Sequence, residues 1–279
     1  MKLYLPLLIL VLLGACRKEA KITPGPTTPF YTLPQGNQPY DDSIVAFHEK
    51  YESYILYKFS YMDFAYSYTS MRPDTAYMGD TAYVALSLQF LKQQLFRLYP
   101  DSFLHKTMPL KILLASSISQ GGSPTPTGCA STNSMIAFGY TNSTLPQKTP
   151  AELRLIRGGI NKAYWERAIR VNAIAIPDSF QLTAPSSYGM LDDNNKYASG
   201  VVVEGISKGF NGNSINIATD LLAFIYMITG HAYAELTSPG NPLSPDVDVN
   251  GLVMLRYNIL VSYYKAQYGI DLQAIGDAP

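Results

Sequence analysis

The side chains that most often do chemistry are scarce in this chain, which has three histidines and two cysteines among its 279 residues. His48 has Glu52, and not a second histidine, at the fourth position after it, and His105 stands alone before an apolar segment. His231 and Glu235 are four residues apart and could supply two metal ligands from one helix face, but no third His or Cys is close in sequence. The spacing therefore favours surface or helix-end histidines over a metal site.

Other polar clusters match known sites only in part. Residues 192–195 read Asp-Asp-Asn-Asn, which lacks the glycine and the distal glutamate of an EF-hand loop, so we expect a polar turn. Ser116, Ser117 and Ser119 precede a glycine pair without forming a G-x-S-x-G elbow. Cys129 lies in a Gly/Pro-rich loop with no histidine nearby, which does not favour a nucleophile.

The cysteine with the clearest predicted chemistry is Cys16. Lys2 gives the N-terminus a basic start, and the apolar run over 7–13 is too short to span a bilayer. The run ends in Leu-Gly-Ala-Cys, which resembles a bacterial lipobox, where cleavage precedes the cysteine and the cysteine is acylated. We expect a signal peptide over 1–15 and a membrane anchor at Cys16. An ordinary signal peptide that contains a cysteine is the alternative.

Composition predicts one globular domain on a tether. Residues 16–40 are rich in Pro, Thr, Gly and Gln and predict a flexible tether, followed by a single domain over 41–279. With Cys16 lipidated, only Cys129 remains, so no disulfide can form within the chain. The 21 basic residues balance 21 acidic ones, which gives no support for nucleic-acid binding.

A long helix predicted from Thr149 to Ile176 organises the domain. Its start combines a capping box with proline at the first helical position. The pair Gly158–Gly159 costs about 1 kcal/mol per glycine in a helix interior and predicts either a close approach by another backbone or a kink. Apolar residues recur every three or four positions and predict one buried face, made of Leu153, Ile156, Ile160, Tyr164, Ala168 and Val171.

The other predicted elements are helices and strands before the long helix and helices after it. Helices are predicted over 41–53, 80–99, 215–229 and 251–268, strands over 54–68, 109–116 and 134–140, and links over 71–79, 121–132, 177–200 and 239–249. This order favours an α+β fold, with a small mixed sheet packed on the long central helix and a helical part after about residue 176. The last helix is predicted to bury Leu252, Leu255, Ile259 and Tyr263.

This succession of segments is similar to the zinc-binding metallopeptidase lipoproteins, or substrate import-associated zinc metallohydrolase lipoproteins, that accompany TonB-dependent import. The similarity covers about residues 42–274 and implies a zincin-like fold. The segments that carry it are the lipobox, an aromatic strand, RLYPDSFL, PLKILLAS, the edge-like strand SMIAFG, the long helix, IPDSFQLTAPSSY, TDLLAF and YYKAQYGIDLQAI.

In that family the long helix carries H-E-x-x-H, whose histidines bind zinc and whose glutamate is the general base. The resemblance places Lys162 and Glu166 at the histidine positions and Ala163 at the general-base position. The family's second helix carries E-D-F-A-E, of which this chain keeps only Asp220, while Ala223 stands at a flanking glutamate position. The resemblance thus implies a degenerate member with no catalytic residue, no metal and no cofactor.

The charges at these positions predict a cluster in place of a metal. Lys162 would supply the positive charge, with Glu166 and Asp220 as partners, because buried charges must be paired. A Lys162 side chain that points to solvent is the alternative. We expect the long helix to pack against the helix near 216–229, and the three predicted strands to share one sheet.

The implied function is that of a non-catalytic, lipid-anchored outer-membrane protein of a Gram-negative bacterium. It would be an accessory component of a TonB-dependent importer of peptide or glycan, and would contact the importer and its surface lipoprotein. An active metallohydrolase with a non-standard metal site is the alternative, and a lipoprotein with a purely structural role is a third hypothesis. Metal content distinguishes the first two hypotheses, and co-purification with the importer distinguishes the first from the third.

Overall fold

The computed structural model describes residues 29–67, 70–119, 128–203, 212 and 215–279. Leu33–Pro279 is one compact unit, and of the preceding unit, Met1–Thr32, only the last four residues are described. The predicted leader and Cys16 therefore lie outside the described residues. Within the described ranges, no helix combines the length and the apolar character needed to cross a membrane.

Short helices and strands precede the long helix, and helices follow it. The helices are α1 (Asp41–Tyr51), α2 (Tyr61–Ala65), α3 (Val84–Gln94), α4 (Asp101–Thr107), α5 (Pro150–Arg170), α6 (Asp178–Leu182), α7 (Ile217–Gly230), α8 (Tyr233–Leu236), α9 (Leu252–Tyr268) and α10 (Leu272–Asp277). The strands are β1 (Tyr54–Leu56), β2 (Tyr66–Ser67), β3 (Ser70–Met71), β4 (Thr75–Met78), β5 (Lys111–Ser119), β6 (Cys129–Ser131) and β7 (Met135–Phe138). The predicted α+β class is confirmed.

The mixed sheet is built around β5. Strands β1 and β7 pair with the first half of β5 in parallel, β4 pairs with its second half antiparallel, and β6 pairs antiparallel with β7. The prediction that the segments near 54, 109–116 and 134–140 share one sheet is confirmed. Strand β7, expected to be edge-like, is internal, because the chain turns back between Ser131 and Met135 and places β6 outside it.

The two faces of the sheet are covered by different layers. Ile112 and Leu114 of β5 belong to the main core, together with the long helix. Lys111 and Leu113 alternate with them, point to the opposite face and are also buried. The segment containing α2 covers this second face, where the Asp63 carboxylate lies 3.2 Å from the Lys111 ammonium.

The start of the long helix α5 is as predicted, and its end is not. The Thr149 hydroxyl accepts from the Glu152 backbone N–H, and the Glu152 carboxylate accepts from the Thr149 backbone N–H at 2.8 Å. The helix ends at Arg170 and not at Ile176. Asn172 adopts a left-handed φ of 56°, a conformation that closes helix C-termini.

The predicted packing of the long helix on the helix near 216–229 is confirmed. A Cβ on Gly158 would lie 2.8 Å from the Tyr226 carbonyl oxygen and 3.1 Å from the Gly230 Cα. Of the two outcomes predicted for the glycine pair, Gly158 thus shows the close backbone approach. The Arg157 Nε donates to the Thr229 carbonyl at 2.8 Å, so the start of α5 lies against the end of α7 and the helices are antiparallel.

Several predicted elements were wrong in extent. The strand predicted over 54–68 stops at Leu56, because the Ser60 side chain caps a short helix, α2, with a capping box. The links predicted over 71–79, 121–132 and 177–200 contain β4, β6 and α6, respectively, and helices α4, α8 and α10 were not predicted. Residues 121–127 of the second link lie outside the described ranges.

The buried face predicted for the last helix was also wrong. Leu255 is 46% exposed, and the inner face of α9 is shifted by about one residue. Burial of Arg256, which meets a carboxylate inside the protein, fixes this rotation of the helix. The residues that are buried on α9 are Val253, Arg256, Tyr257, Leu260 and Tyr264.

Candidate functional site

The five residues at the predicted metal positions lie on two adjacent helices. Lys162, Ala163 and Glu166 are in the second half of α5, and Asp220 and Ala223 are in the first half of α7. Because the helices are antiparallel, these halves lie at the same end of the pair. The two alanines are buried and contribute only methyl groups. The two groups of positions therefore lie on neighbouring halves of one helix pair.

Glu166 is bound by groups on the sheet side of the long helix. Its carboxylate accepts from the Ser131 hydroxyl at 2.7 Å and from the Arg170 guanidinium at 2.7 Å. Arg170 also donates to the Ser131 carbonyl at 3.2 Å. The Glu166 side chain is 35% exposed and is directed at the edge strand β6. Its hydrogen bonds tie the long helix to the sheet edge.

Asp220 is bound by different groups, on the side of the C-terminal helices. Its Oδ2 lies 2.7 Å from the Arg256 Nη2 and accepts from the Tyr188 hydroxyl at 2.7 Å. Arg256 donates through Nη1 to the Gly200 carbonyl at 2.6 Å, and its guanidinium carbon lies 3.9 Å from the centre of the Phe180 ring. Neither Asp220 nor Arg256 has any exposed side-chain surface.

Burial of the Asp220–Arg256 ion pair is partly unfavourable, because its charges are desolvated and some of its polar atoms lack hydrogen bonds. Burial raises the pKa of Asp220 above its usual value, and the charge of Arg256 and the Tyr188 hydrogen bond oppose that shift. The Asp220 Oδ1 and the Arg256 Nε and Nη2 make no hydrogen bond in the described structure, so at Nη2 the pair is held by charge and proximity without an aligned N–H bond. Burying an ion pair of this kind costs the desolvation free energy of both charges, and removing one partner leaves the other as an uncompensated buried charge.

Lys162 is half-buried on the long helix, close enough to Glu166 to feel its charge. Burial lowers the pKa of Lys162, and the nearby Glu166 carboxylate partly opposes the shift. The carboxylate of Asp220, the second partner predicted from the sequence, pairs with Arg256 instead. The two acids of the predicted cluster are thus paired with different arginines, Glu166 with Arg170 and Asp220 with Arg256.

The donor set does not fit a catalytic zinc ion. Such a site needs three protein ligands drawn from His, Cys, Asp and Glu around one point. The two alanines supply no donor atom. The carboxylate of Glu166 is bound by Ser131, and that of Asp220 is bound by Arg256. Across the residues that the structure describes, no three side chains of those four types come together as a metal site.

The other candidate residues have structural surroundings. The His231 Nδ1 lies 2.9 Å from the Glu235 carboxylate, and the His48 ring stacks on Tyr54 at 4.0 Å. Burial raises the pKa of the Cys129 thiol to about 12, so it is not a thiolate at neutral pH. Residues 192–195 form the expected polar turn, in which the Asp192 side chain accepts from two backbone N–H groups.

Sequence reasoning missed Tyr188 and Arg256, which bind Asp220. Arg256 carried a detectable signal, because it interrupts the apolar run Leu-Val-Met-Leu-Arg-Tyr-Asn-Ile-Leu at a position three residues after Val253 and four before Leu260. A charged residue on the apolar stripe of a helix predicts a buried partner of opposite charge. Tyr188 lies in an irregular segment and carried no such signal.

Comparisons with known proteins give one similar structure. No protein-family model and no curated protein matches the sequence. The structure is similar to the crystal structure of a protein described as a putative zinc-binding metallo-peptidase from Bacteroides caccae, with a TM-score of 0.54 and 11% sequence identity. The match covers 86% of this chain and 89% of that one. The chain therefore has a metallopeptidase-like fold, and the expected zincin-like fold class is confirmed.

Proposed function

We propose that this chain is a non-catalytic member of the metallopeptidase-like lipoproteins that has exchanged a zinc site for internal ion pairs. The observation that carries the proposal is the binding of Asp220 by Arg256 and Tyr188 at 2.7 Å each. An acidic metal ligand must be free to face the ion, and this one is occupied by a resident guanidinium. With Lys162 and Ala163 at neighbouring positions, the region lacks both the ligands and the general base of a metallopeptidase.

The proposed role is that of an accessory component of a TonB-dependent importer of peptide or glycan. The protein would be anchored by an acylated Cys16 in the outer membrane of a Gram-negative bacterium, and would contact the importer and its surface lipoprotein. This role is supported by the lipobox and by the resemblance of the sequence segments to import-associated lipoproteins.

Two linked experiments test this role. Cys16→Ala should leave the protein as an uncleaved precursor or release it from outer-membrane fractions. The unmodified protein, cross-linked in its native membrane, should yield adducts with the importer or its surface lipoprotein. A Cys16→Ala protein that is processed and retained like the parent contradicts the anchor. Anchored protein that forms no adduct with import components favours a purely structural lipoprotein.

A further inference from the structure

The chain between α6 and Gly200 lies against α7 and α9 as an irregular strap. We define the strap as residues 184–199, all of which the structure describes. Its regular structure is limited to two short 3-10 turns, Tyr188–Met190 and Tyr197–Ser199. The strap is therefore ordered mainly by its contacts with the helices beneath it.

Little of the strap is buried. Leu191 is its single buried residue, and it packs in a small cluster with Val201 and Ile215 that is separate from the main core. Tyr197 is half-buried against the main core. In contrast, every residue over 220–225 of α7 is buried. Because segments with little buried apolar surface open at lower free energy than the core does, the strap is a candidate for local opening.

Both ends of the strap are fixed to the domain. Before it, the buried Phe180 ring packs edge-on against Phe224, with ring centres 5.5 Å apart. After it, the Gly200 carbonyl accepts from the Arg256 Nη1 at 2.6 Å, and a Cβ on Gly200 would lie 2.9 Å from the Leu252 Cβ. Gly200 has a left-handed φ of 75°, which glycine adopts without steric cost. The strap can therefore move between two points that stay in place.

Two side-chain hydrogen bonds hold the middle of the strap to the domain. The Tyr188 hydroxyl donates to the Asp220 carboxylate at 2.7 Å, and the Asn250 side-chain amide donates to the Ala198 carbonyl at 2.8 Å. One bond lies at each of the two turns. An isolated single turn is unstable in water, so release of both bonds should also unfold the turns and expose their backbone amides to exchange.

The closed strap lies over polar atoms that have no partner. The Asp220 Oδ1 and the Arg256 Nε and Nη2 are buried and accept or donate no hydrogen bond among the described residues. Each such atom forgoes hydration and raises the free energy of the closed state. Movement of the Tyr188 ring away from Asp220 would leave room for water beside the carboxylate. This hydration offsets part of the cost of breaking the two anchoring bonds.

We propose that the strap is a lid that opens as a unit in the folded protein, with Gly200 as its hinge, and separates Tyr188 from Asp220. The inference goes beyond the proposed function and does not depend on the lipid anchor. Opening leaves the packing of α5 on α7 intact and gives water access to the buried carboxylate at one end of that helix pair. The lid is thus a second conformation of the native protein, populated at a low level.

Hydrogen exchange of the full-length native protein tests the lid, with rates measured on peptic fragments by mass spectrometry at several urea concentrations below unfolding. The reporting amides are those of Leu191, Lys196 and Ser199, each of which donates within the strap. We expect them to exchange at least about a hundredfold faster than the amides of α5, yet slower than those of an unstructured peptide. Their rates should change little with urea, because local opening exposes little surface.

Three variants separate local opening from global unfolding. Tyr188→Phe and Asn250→Ala each remove one anchoring bond and should speed exchange in the strap about fivefold or more. Asn250 is exposed, so its variant should fold. Gly158→Ala is the matched control, because it crowds the contact of α5 with α7 that the open state retains. It should speed exchange in α5 about fivefold or more and leave exchange in the strap unchanged.

Three results would overturn the lid. If Gly158→Ala speeds exchange in the strap and in α5 equally, the strap opens only when the whole domain unfolds. If the strap amides exchange at the rate of an unstructured peptide, no closed lid exists. If Tyr188→Phe and Asn250→Ala both leave exchange in the strap unchanged, the two anchoring bonds are not broken on opening.

Discussion

The two ends of the α5–α7 helix pair show how this scaffold separates structure from chemistry. At one end, Arg157 donates to the carbonyls of Thr229, Gly276 and Ala278 at 2.6–2.8 Å, and Gly158 lies against α7. At the other end, Glu166 is bound to the sheet edge and Asp220 to α9. The first end holds the helices together through backbone contacts, while at the second end the two acids are bound by different partners on different elements.

The difference teaches that the fold does not depend on a metal to balance its buried acid. At the Gly158 end, a guanidinium is satisfied by neutral carbonyl groups, and at the Asp220 end a guanidinium neutralises a carboxylate. The groups that hold Arg157 and those that hold Asp220 are different residues. Loss of zinc ligands at one end would therefore leave the packing at the other end unchanged. Variants at each end test this separation.

The largest effect is expected from Arg256→Met, which leaves the buried Asp220 carboxylate without its counter-charge. Breaking a buried pair in this way typically costs about 3–5 kcal/mol of unfolding free energy, measurable by urea denaturation. The double variant Asp220→Leu with Arg256→Met removes both charges and should recover most of that loss. Tyr188→Phe removes one hydrogen bond and should cost only about 1–2 kcal/mol. If the losses of unfolding free energy caused by Asp220→Leu alone and by Arg256→Met alone simply add in the double variant, Asp220 and Arg256 are not coupled.

A smaller loss is expected from Gly158→Ala at the opposite end of the helix pair. The new methyl group would meet backbone atoms of Tyr226 and Gly230 at 2.8 and 3.1 Å, and relieving such overpacking costs about 1–3 kcal/mol. Gly159→Ala is the matched control. Its methyl group would find its nearest atoms at 3.8 Å, so it should be neutral or stabilise by up to about 1 kcal/mol. If both alanines are tolerated equally, the close approach of the helices is incorrect.

The smallest effect is expected at Lys162, and it depends on pH. Because burial lowers the pKa of Lys162, folding disfavours its charged form. The resulting loss of folding stability is at its full size below the lowered pKa of the folded state. It is relieved as the pH rises from there toward the pKa of the unfolded state, about 10.5. Lys162→Met should therefore raise the melting temperature most at neutral pH, and the advantage should shrink toward pH 10.5.

Lys106→Met controls for this pH effect, because Lys106 is exposed. It should change the melting temperature little at either pH. A Lys162→Met protein that is strongly destabilised at neutral pH would instead indicate a favourable buried ion pair at Lys162, as the sequence had suggested.

The sequence predicted the elements whose signals are local. The capping box at Thr149, the glycine pair at Gly158 and the apolar strand that became β5 all carry their information within a few residues, and each is present in the structure. The strand predicted over 54–68 failed where a local signal was overlooked, since Ser60 and Asp63 form a capping box for α2. Strand β6 was missed because its residues lie in a segment dominated by turn-forming residues.

The site was harder to predict because its partners come from distant parts of the chain. The carboxylate of Asp220 was found by resemblance, but Tyr188 and Arg256, which bind it, are 32 and 36 residues away in sequence. Periodicity alone fitted two rotations of α9 almost equally well. The choice between them was decided by the ion pair of Arg256 with Asp220, a partner on another helix that the local pattern of α9 does not identify.

Zinc content tests the central claim most directly. Protein purified without chelator is assayed by elemental analysis and then titrated with zinc by calorimetry. A variant that combines Lys162→His, Ala163→Glu and Glu166→His controls for the ability of the assay to detect a site in this helix. We expect the unmodified chain to hold less than about 0.1 zinc per molecule and to show no chelator-sensitive peptidase activity. One tightly bound zinc per chain, with peptidase activity that a chelator abolishes, would contradict the account and favour an active hydrolase with a non-standard metal site.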